Sequence, residues 1–159
     1  MGMSDKLKIL IDADACPVKE IAVKVASEYG IPVVMVADTS HEINSAYAEV
    51  IIVDKSADSA DLALFNISCR GDIVITQDYG VAAMALGKKA YALNQNGLIY
   101  DDGNIGGLLE QRHMSGKLRR AGKRPPCVPK RTGKDSVEFE KALRGLVERA
   151  VEGRKKEEK

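Results

Sequence analysis

Short apolar runs alternate with polar turns and amphipathic stretches through the first two thirds of the chain. Ile9, Leu10 and Ile11 form a run too short and too β-branched for a helix core. They read as a strand buried on both faces, with Asp12 as the first polar residue at its carboxyl end. Pro17 has no N–H and a φ preset near the helical value, so it suits the first position of a helix, with Cys16 as the cap. Val18, Ile21, Ala22, Val25, Ala26 and Tyr29 then recur at helical spacing, and Gly30 closes the helix. Further strands are expected at 33–37, ending at Asp38, at 50–53, at 72–78 and, more weakly, at 90–93 before an Asn96-Gly97 turn. Ser56, Ala57 and Asp58 open a helix carrying Leu62, Ala63, Leu64 and Ile67, and Val81, Ala82, Ala85 and Leu86 form a shorter one up to Gly87.

Strand and helix alternate with short connections, which means a parallel sheet with helices on both faces, since the crossovers must be right-handed. The fold class is therefore α/β with three layers and about five strands. A helix over 104–112, with Ile105, Leu108 and Leu109 inward, leads into a basic stretch. After it, Asp135 and Glu138 make a capping box for a last helix whose stripe is Phe139, Leu143, Leu146, Val147 and Ala150. A single domain is expected over 7–151, with disordered termini at 1–6 and 152–159.

Charge changes this picture only through its distribution. Lys and Arg number 24 against 23 Asp and Glu, but nine of the cations fall between Arg112 and Lys134, a stretch that holds no acid. The rest carries 15 positive and 23 negative charges, a formal −8. Such a run suits phosphate contacts, although like charges also gather on solvated faces. Pro125, Pro126 and Pro129 exclude a helix from its second half. No apolar run is long enough to span a bilayer, the start MGMSDKLK has no signal-like stretch, and three cysteines are an odd count without metal spacing. A soluble cytoplasmic protein without a membrane partner is the expectation.

The candidate chemistry lies in the carboxylates. In doubly wound sheets ligands bind beyond the carboxyl ends of the strands, at the point where the connections diverge. Asp12 and Asp78 stand at two such ends, with Asp14 on the first turn. Asp58 and Asp61, three residues apart on a helix, share one face. Carboxylates gathered without a base repel one another, and a divalent cation removes that cost. Oxygen-only ligands suit Mg²⁺ or Mn²⁺, which support phosphodiester hydrolysis. Plainer roles stand beside these. Asp12 and Asp14 suit turn N–H groups, Asp58 a helix cap or dipole partner, and Asp78 the cap of the next helix. Cys16 suits either a small buried cap or an activated thiolate. His41-Glu42 has Ser45 where a zinc helix needs a second histidine.

IDADACPVKEI, SADSAD, DIVITQDYGVA and NIGGLLEQRHMSGKLRRAG resemble successive motifs of the YaiI/YqxD family of small bacterial proteins, over about Ile9 to Leu143. That family is similar to PIN-like domains, commonly metal-dependent ribonucleases with strand order 3-2-1-4-5. The resemblance implies that Asp12, Asp61 and Asp78 match the PIN carboxylates and so are the metal ligands, and Asp14 is expected beside them as a catalytic carboxylate, an outer-shell group or second ligand. Asp14, Cys16, Pro17 and Lys19 match the family's own signature. Tyr79-Gly80 replaces its usual apolar residue and proline, and Cys127-Val128-Pro129 its usual Gly-Pro. The expectation is a Mg²⁺- or Mn²⁺-dependent nuclease acting on RNA, with Lys19, Arg112, Lys117, Arg119, Arg120, Lys123 and Arg124 on the nucleic acid. Cys16, Asp58 and Thr76 are the candidates for support behind the ligands. A binding module without turnover and a Cys16 thiol enzyme are the alternatives.

Overall fold

The computed structural model describes residues 7–14, 16–38, 45–55, 59–123 and 131–157. Strands β1 (Ile9–Asp12), β2 (Val33–Asp38), β3 (Glu49–Val53), β4 (Ile73–Ile75), β5 (Tyr91–Leu93) and β6 (Ile99–Tyr100) form one sheet of order β3-β2-β1-β4-β5-β6. All neighbours pair in parallel except β6, which runs antiparallel to β5. The helices are α1 (Lys19–Tyr29), α2 (Ser59–Ile67), α3 (Tyr79–Gly87), α4 (Ile105–Arg120) and α5 (Gly133–Glu157). No helix among the described residues is long and apolar enough to cross a membrane.

Alternation along each strand sorts the core into two layers. Ile9, Ile11, Val33, Met35, Ala37, Ile73, Ile75 and Leu93 pack under α1 and α5, together with Phe139, Leu143, Leu146 and Val147. Leu10, Val34, Val36, Val74 and Ala92 face the other way, onto Leu64 of α2 and Val81, Ala82 and Ala85 of α3. The three layers and the α/β class follow from that division.

Several boundaries differ from the sequence reading. Pro17 lies in a turn, and α1 starts at Lys19 with Val18 as a cap that lends no side-chain bond. Its end is as expected, on Gly30 at φ 69°. Pairing of β4 stops at Ile75 rather than at 78, because Thr76 and Asp78 turn their polar groups to other partners. The sixth strand was not expected. It forms a hairpin in which Asn94 Oδ1 accepts the N–H groups of Asn96 and Leu98, both at 2.9 Å. Gly97 is required there, since its φ is +89° and a Cβ would lie 2.7 Å from the Glu138 carbonyl of α5. The α4 helix continues from the expected 112 to Arg120, and Leu109 on it is exposed while Ile105 and Leu108 are half-buried.

The α5 helix also departs at both ends. It opens at Gly133, and the Thr132 N–H donates to Asp135 Oδ2 at 2.8 Å, so Asp135 acts inside the first turn and not as the cap. It runs on to Glu157, so 152–157 is helix and not the disordered tail expected. Arg154 supplies the reason. It reaches Asp72 Oδ1 at 3.5 Å, while Lys8 Nζ holds Asp72 Oδ2 at 2.6 Å. The Asp72 side chain is fully buried and also accepts the Cys69 N–H at 2.9 Å. Two cations and two backbone donors, the N–H groups of Lys8 and Cys69, thus fix one carboxylate where β1, β4 and α5 meet.

Removing that carboxylate leaves Lys8 and Arg154 without their buried partner. Asp72→Ala is expected to cost about 3 to 5 kcal/mol in urea unfolding. A loss below about 1 kcal/mol, the range of exposed pairs, would show that the cluster holds nothing together.

Candidate functional site

A parallel strand delivers its last side chain at the carboxyl edge of the sheet, and the central strands β1 and β4 deliver Asp12 and, three residues past Ile75, Asp78. Thr76 joins them. Its hydroxyl donates to Asp12 Oδ2 at 3.0 Å and accepts the Asp78 N–H at 3.0 Å. Asp14, on the turn after β1, accepts the Asp38 N–H at 3.0 Å, which ties the turn to the end of β2. Asp61 enters from the first turn of α2.

The electrostatics agree with this gathering. Burial pushes the Asp12 carboxyl up from 3.8 to about 6, helped by the charges of Asp61, Asp14 and Asp78 and opposed by the Thr76 hydrogen bond. Among the described residues no cationic side chain forms an ion pair with Asp12. Asp78 differs. Its Oδ1 caps α3 by accepting the N–H groups of Gly80 (2.7 Å) and Val81 (3.2 Å), and it also receives Arg112 at 3.3 Å. The capping role considered for Asp78 is therefore present beside its place in the crevice.

The carboxylates make an all-oxygen donor set suited in kind to a hard divalent cation. Among the described residues no three acidic, histidine or cysteine side chains stand together closely enough to hold an ion alone. Mg²⁺ asks for less, since it keeps several waters and binds through one or two carboxylates. The raised Asp12 carboxyl is the observation that fits a cation, because repulsion and lost hydration there are what a cation relieves.

The remaining candidates divide. Cys16 is a free, buried thiol, and burial pushes it up from 9.0. Burial thus disfavours its thiolate form, and a place in the core under α1 accounts for it. Lys19 Nζ donates to the Cys16 carbonyl at 3.0 Å and lies 3.4 Å from that of Ala13, so it braces the turn after β1. Arg112 reaches the crevice through Asp78. Lys117, Arg119 and Arg120 are exposed on the last turns of α4, and Lys123 is exposed just beyond them. Arg119 shares the face of Arg112, two turns on. Asp58 and Arg124 lie outside the described residues, as do His41 and Glu42. Two neighbours were missed. Asp38 ends β2 as Asp12 ends β1, and the same rule would have found it. Tyr79, half-buried in the first turn of α3 with its ring edge-on to Tyr100 at 6.0 Å, carried no sequence signal beyond its departure from the family pattern.

The Asp12 environment gives a signed pH test. With a folded value of about 6 against 3.8, the folded protein holds this proton more tightly than the unfolded chain. Stability therefore falls as pH rises through that window, and the penalty is complete above it. Asp12→Asn carries no such proton and can still accept from Thr76. It should match wild type near pH 4 and exceed it by about 1 to 2 kcal/mol near pH 7 in urea unfolding. A variant less stable than wild type at pH 7 would make Asp12 a structural anion held by its turn.

Relatives share nearly the whole chain. A protein named only as a UPF0178 protein from Ruminiclostridium cellulolyticum is 57% identical over 147 residues, covering 92% of this chain and 96% of its own. Another UPF0178 protein, from Alkaliphilus oremlandii, is 54% identical over 137 residues, with 86% and 88% covered. No solved structure matches. The family model described as "Uncharacterized BCR, YaiI/YqxD family" matches residues 10–149, a span that takes in Asp12, Asp61, Asp78 and α4, and the chain belongs to that family.

Proposed function

We propose that this protein hydrolyses phosphodiester bonds of RNA with Mg²⁺ or Mn²⁺ at the carboxyl edge of β1 and β4. The observation that carries the reading is the Asp12 carboxyl, pushed up to about 6 where Asp14, Asp61 and Asp78 add their charges to its burial. A structural carboxylate is normally given partners, as Asp72 is, whereas an active-site one is kept ready for a ligand. The strand order supports it too, since the PIN-like order 3-2-1-4-5 recurs with β6 appended.

In this reading Asp12 and Asp61 would hold the ion together with Asp78, whose Oδ1 is shared with the α3 cap and Arg112. When bound, the ion supplies Lewis-acid stabilisation to phosphoryl oxygens and lowers the pKa of an attacking water. Thr76 keeps Asp12 and the Asp78 backbone in register. Asp14, steadied by the Asp38 N–H, accepts the proton of the attacking water. Arg112 and Arg119 place phosphates along one face of α4, and Lys117, Arg120 and Lys123 extend the basic track. A cytoplasmic setting goes with this substrate. Binding without turnover is the second reading, favoured by the commitment of Asp78 Oδ1 to the α3 cap and Arg112.

Labelled single-stranded RNA incubated with the protein, with and without Mn²⁺, separates the two. Cleavage is expected only with Mn²⁺, and Asp12→Asn should abolish it while still binding RNA. Binding without cleavage would support the second reading, and neither would contradict both.

The basic track sets a salt dependence. If four or five of its cations contact a single strand, log K should fall against log salt with a slope of about −3 to −3.5. Replacing Lys117, Arg119, Arg120 and Lys123 by Ser should flatten the slope markedly. An unchanged slope would make α4 a solvated face.

A further inference from the structure

At the opposite end of the sheet, where β4 and β5 begin, a cavity of about 260 Å³ opens between the turn at Arg70 and Gly71, the turn at Lys89, and α5. Its cationic walls are Arg70, Lys89 and Arg154, its floor is Tyr91 and Ala150, and among the described residues no carboxylate lines it. Asp72, which pairs with Arg154, is fully buried and is also held by Lys8.

Two backbone features shape the site. Gly71 sits at φ +86° and donates its N–H to the Lys89 carbonyl at 3.1 Å. Lys89 sits at φ +65° and is the one non-glycine residue with positive φ among the described residues. It follows the α3 cap at Lys88, a place where helices usually end on glycine. A side chain at a left-handed position carries a steric cost that glycine avoids, and such outliers gather where a side chain is needed for a ligand. Here the residue is an exposed lysine that lines the cavity.

Arg154 is preset. Its guanidinium reaches Asp72 Oδ1 at 3.5 Å and the Arg70 carbonyl at 3.3 Å, and lies 3.6 Å from where a Gly71 Cβ would stand. Gly153 opens the far wall, where a Cβ would approach only the Tyr91 hydroxyl, at 3.8 Å. Beyond it a furrow continues along α5, lined by Glu148, Arg149, Glu152 and Lys156, and the Arg149 guanidinium lies 5.5 Å from the centre of the Tyr91 ring.

We propose that this cavity binds a phosphate monoester, the terminal phosphate of a nucleotide or of an oligonucleotide end. Two arginines and a lysine lining one space suit a dianion with several acceptor oxygens better than a single carboxylate. The volume exceeds that of a phosphate alone and leaves room for part of an attached sugar, with the furrow as its exit. The site stands apart from the carboxylate crevice and does not rest on the nuclease reading.

The test is an amide-shift titration of the ¹⁵N-labelled full chain at low salt with inorganic phosphate, then with a 5′-mononucleotide and with matched 5′-phosphorylated and 5′-hydroxyl oligonucleotides. Phosphate should move the amides of Gly71, Lys89 and Gly153 saturably. A mononucleotide binding more tightly than phosphate marks free nucleotides as the source. A 5′-phosphorylated oligonucleotide moving those amides where its 5′-hydroxyl twin does not marks polynucleotide ends. Lys89→Gly keeps the left-handed backbone and removes the cation. It should melt no lower than wild type and yet bind phosphate about tenfold more weakly, as loss of a charge-assisted contact implies. Arg70→Ser should weaken binding similarly. Shifts that do not saturate, or that are unchanged in both variants, would overturn the site, as would shifts confined to α4 for every ligand.

Discussion

A parallel sheet covered on both faces leaves its polar side chains only two places, the two ends of its strands, and the organisation of this protein follows from that constraint. Ile9, Leu10, Ile11, Ile73, Val74 and Ile75 at its centre are fully or almost fully buried, so neither β1 nor β4 can present chemistry along its length. What each end does with its charge then differs sharply. At the amino end Asp72 is closed in by Lys8, Arg154 and backbone donors, and the result is a structural clasp that draws the end of α5 onto the sheet. At the carboxyl end Asp12 has a hydroxyl for a partner and three carboxylates for neighbours. Asp72 is neutralised at one edge, whereas Asp12 at the other forms no ion pair among the described residues, and this contrast is the physical basis for reading the second edge as the functional one.

The sheet was legible because its signal is long-range and redundant. Apolar runs bounded by polar turns mark buried strands, and their alternation with amphipathic stretches leaves few topologies. What escaped was held by particular contacts. A two-residue β6 has no period of its own and exists because Asn94 turns the chain back. The end of α4 carries no fully buried residue, so no apolar stripe announces it, and helix continues until Gly122 takes a positive φ. The last turns of α5 are polar in sequence and are ordered by one ion pair to a residue far away along the chain.

The site was legible in part for a related reason. A carboxylate at the end of a buried strand is visible in sequence, which is how Asp12 and Asp78 stood out. Which oxygen does what is not visible. Asp78 shares one oxygen between the α3 cap and Arg112, and Thr76 proves to be the bridge between the two strand ends. Cys16 belonged to the most conspicuous motif, yet its burial and raised pKa make it part of the core under α1. The basic stretch read as a single block divides as well, because α4 carries four of its cations while Arg131 folds back to hold the Gln95 carbonyl at 2.9 Å and Ser136 at 2.7 Å.

The central claim is the proposal that the carboxyl edge of β1 and β4 binds a divalent cation and is not a chance gathering of acids. Anomalous diffraction from crystals soaked in Mn²⁺ examines it most directly, since it locates the ion without requiring turnover. The account predicts a peak at ligating distance from Asp12 and Asp61 in the wild type and none there in Asp12→Asn. A wild-type crystal with Mn²⁺ bound elsewhere, or with no peak beside Asp12, would contradict it.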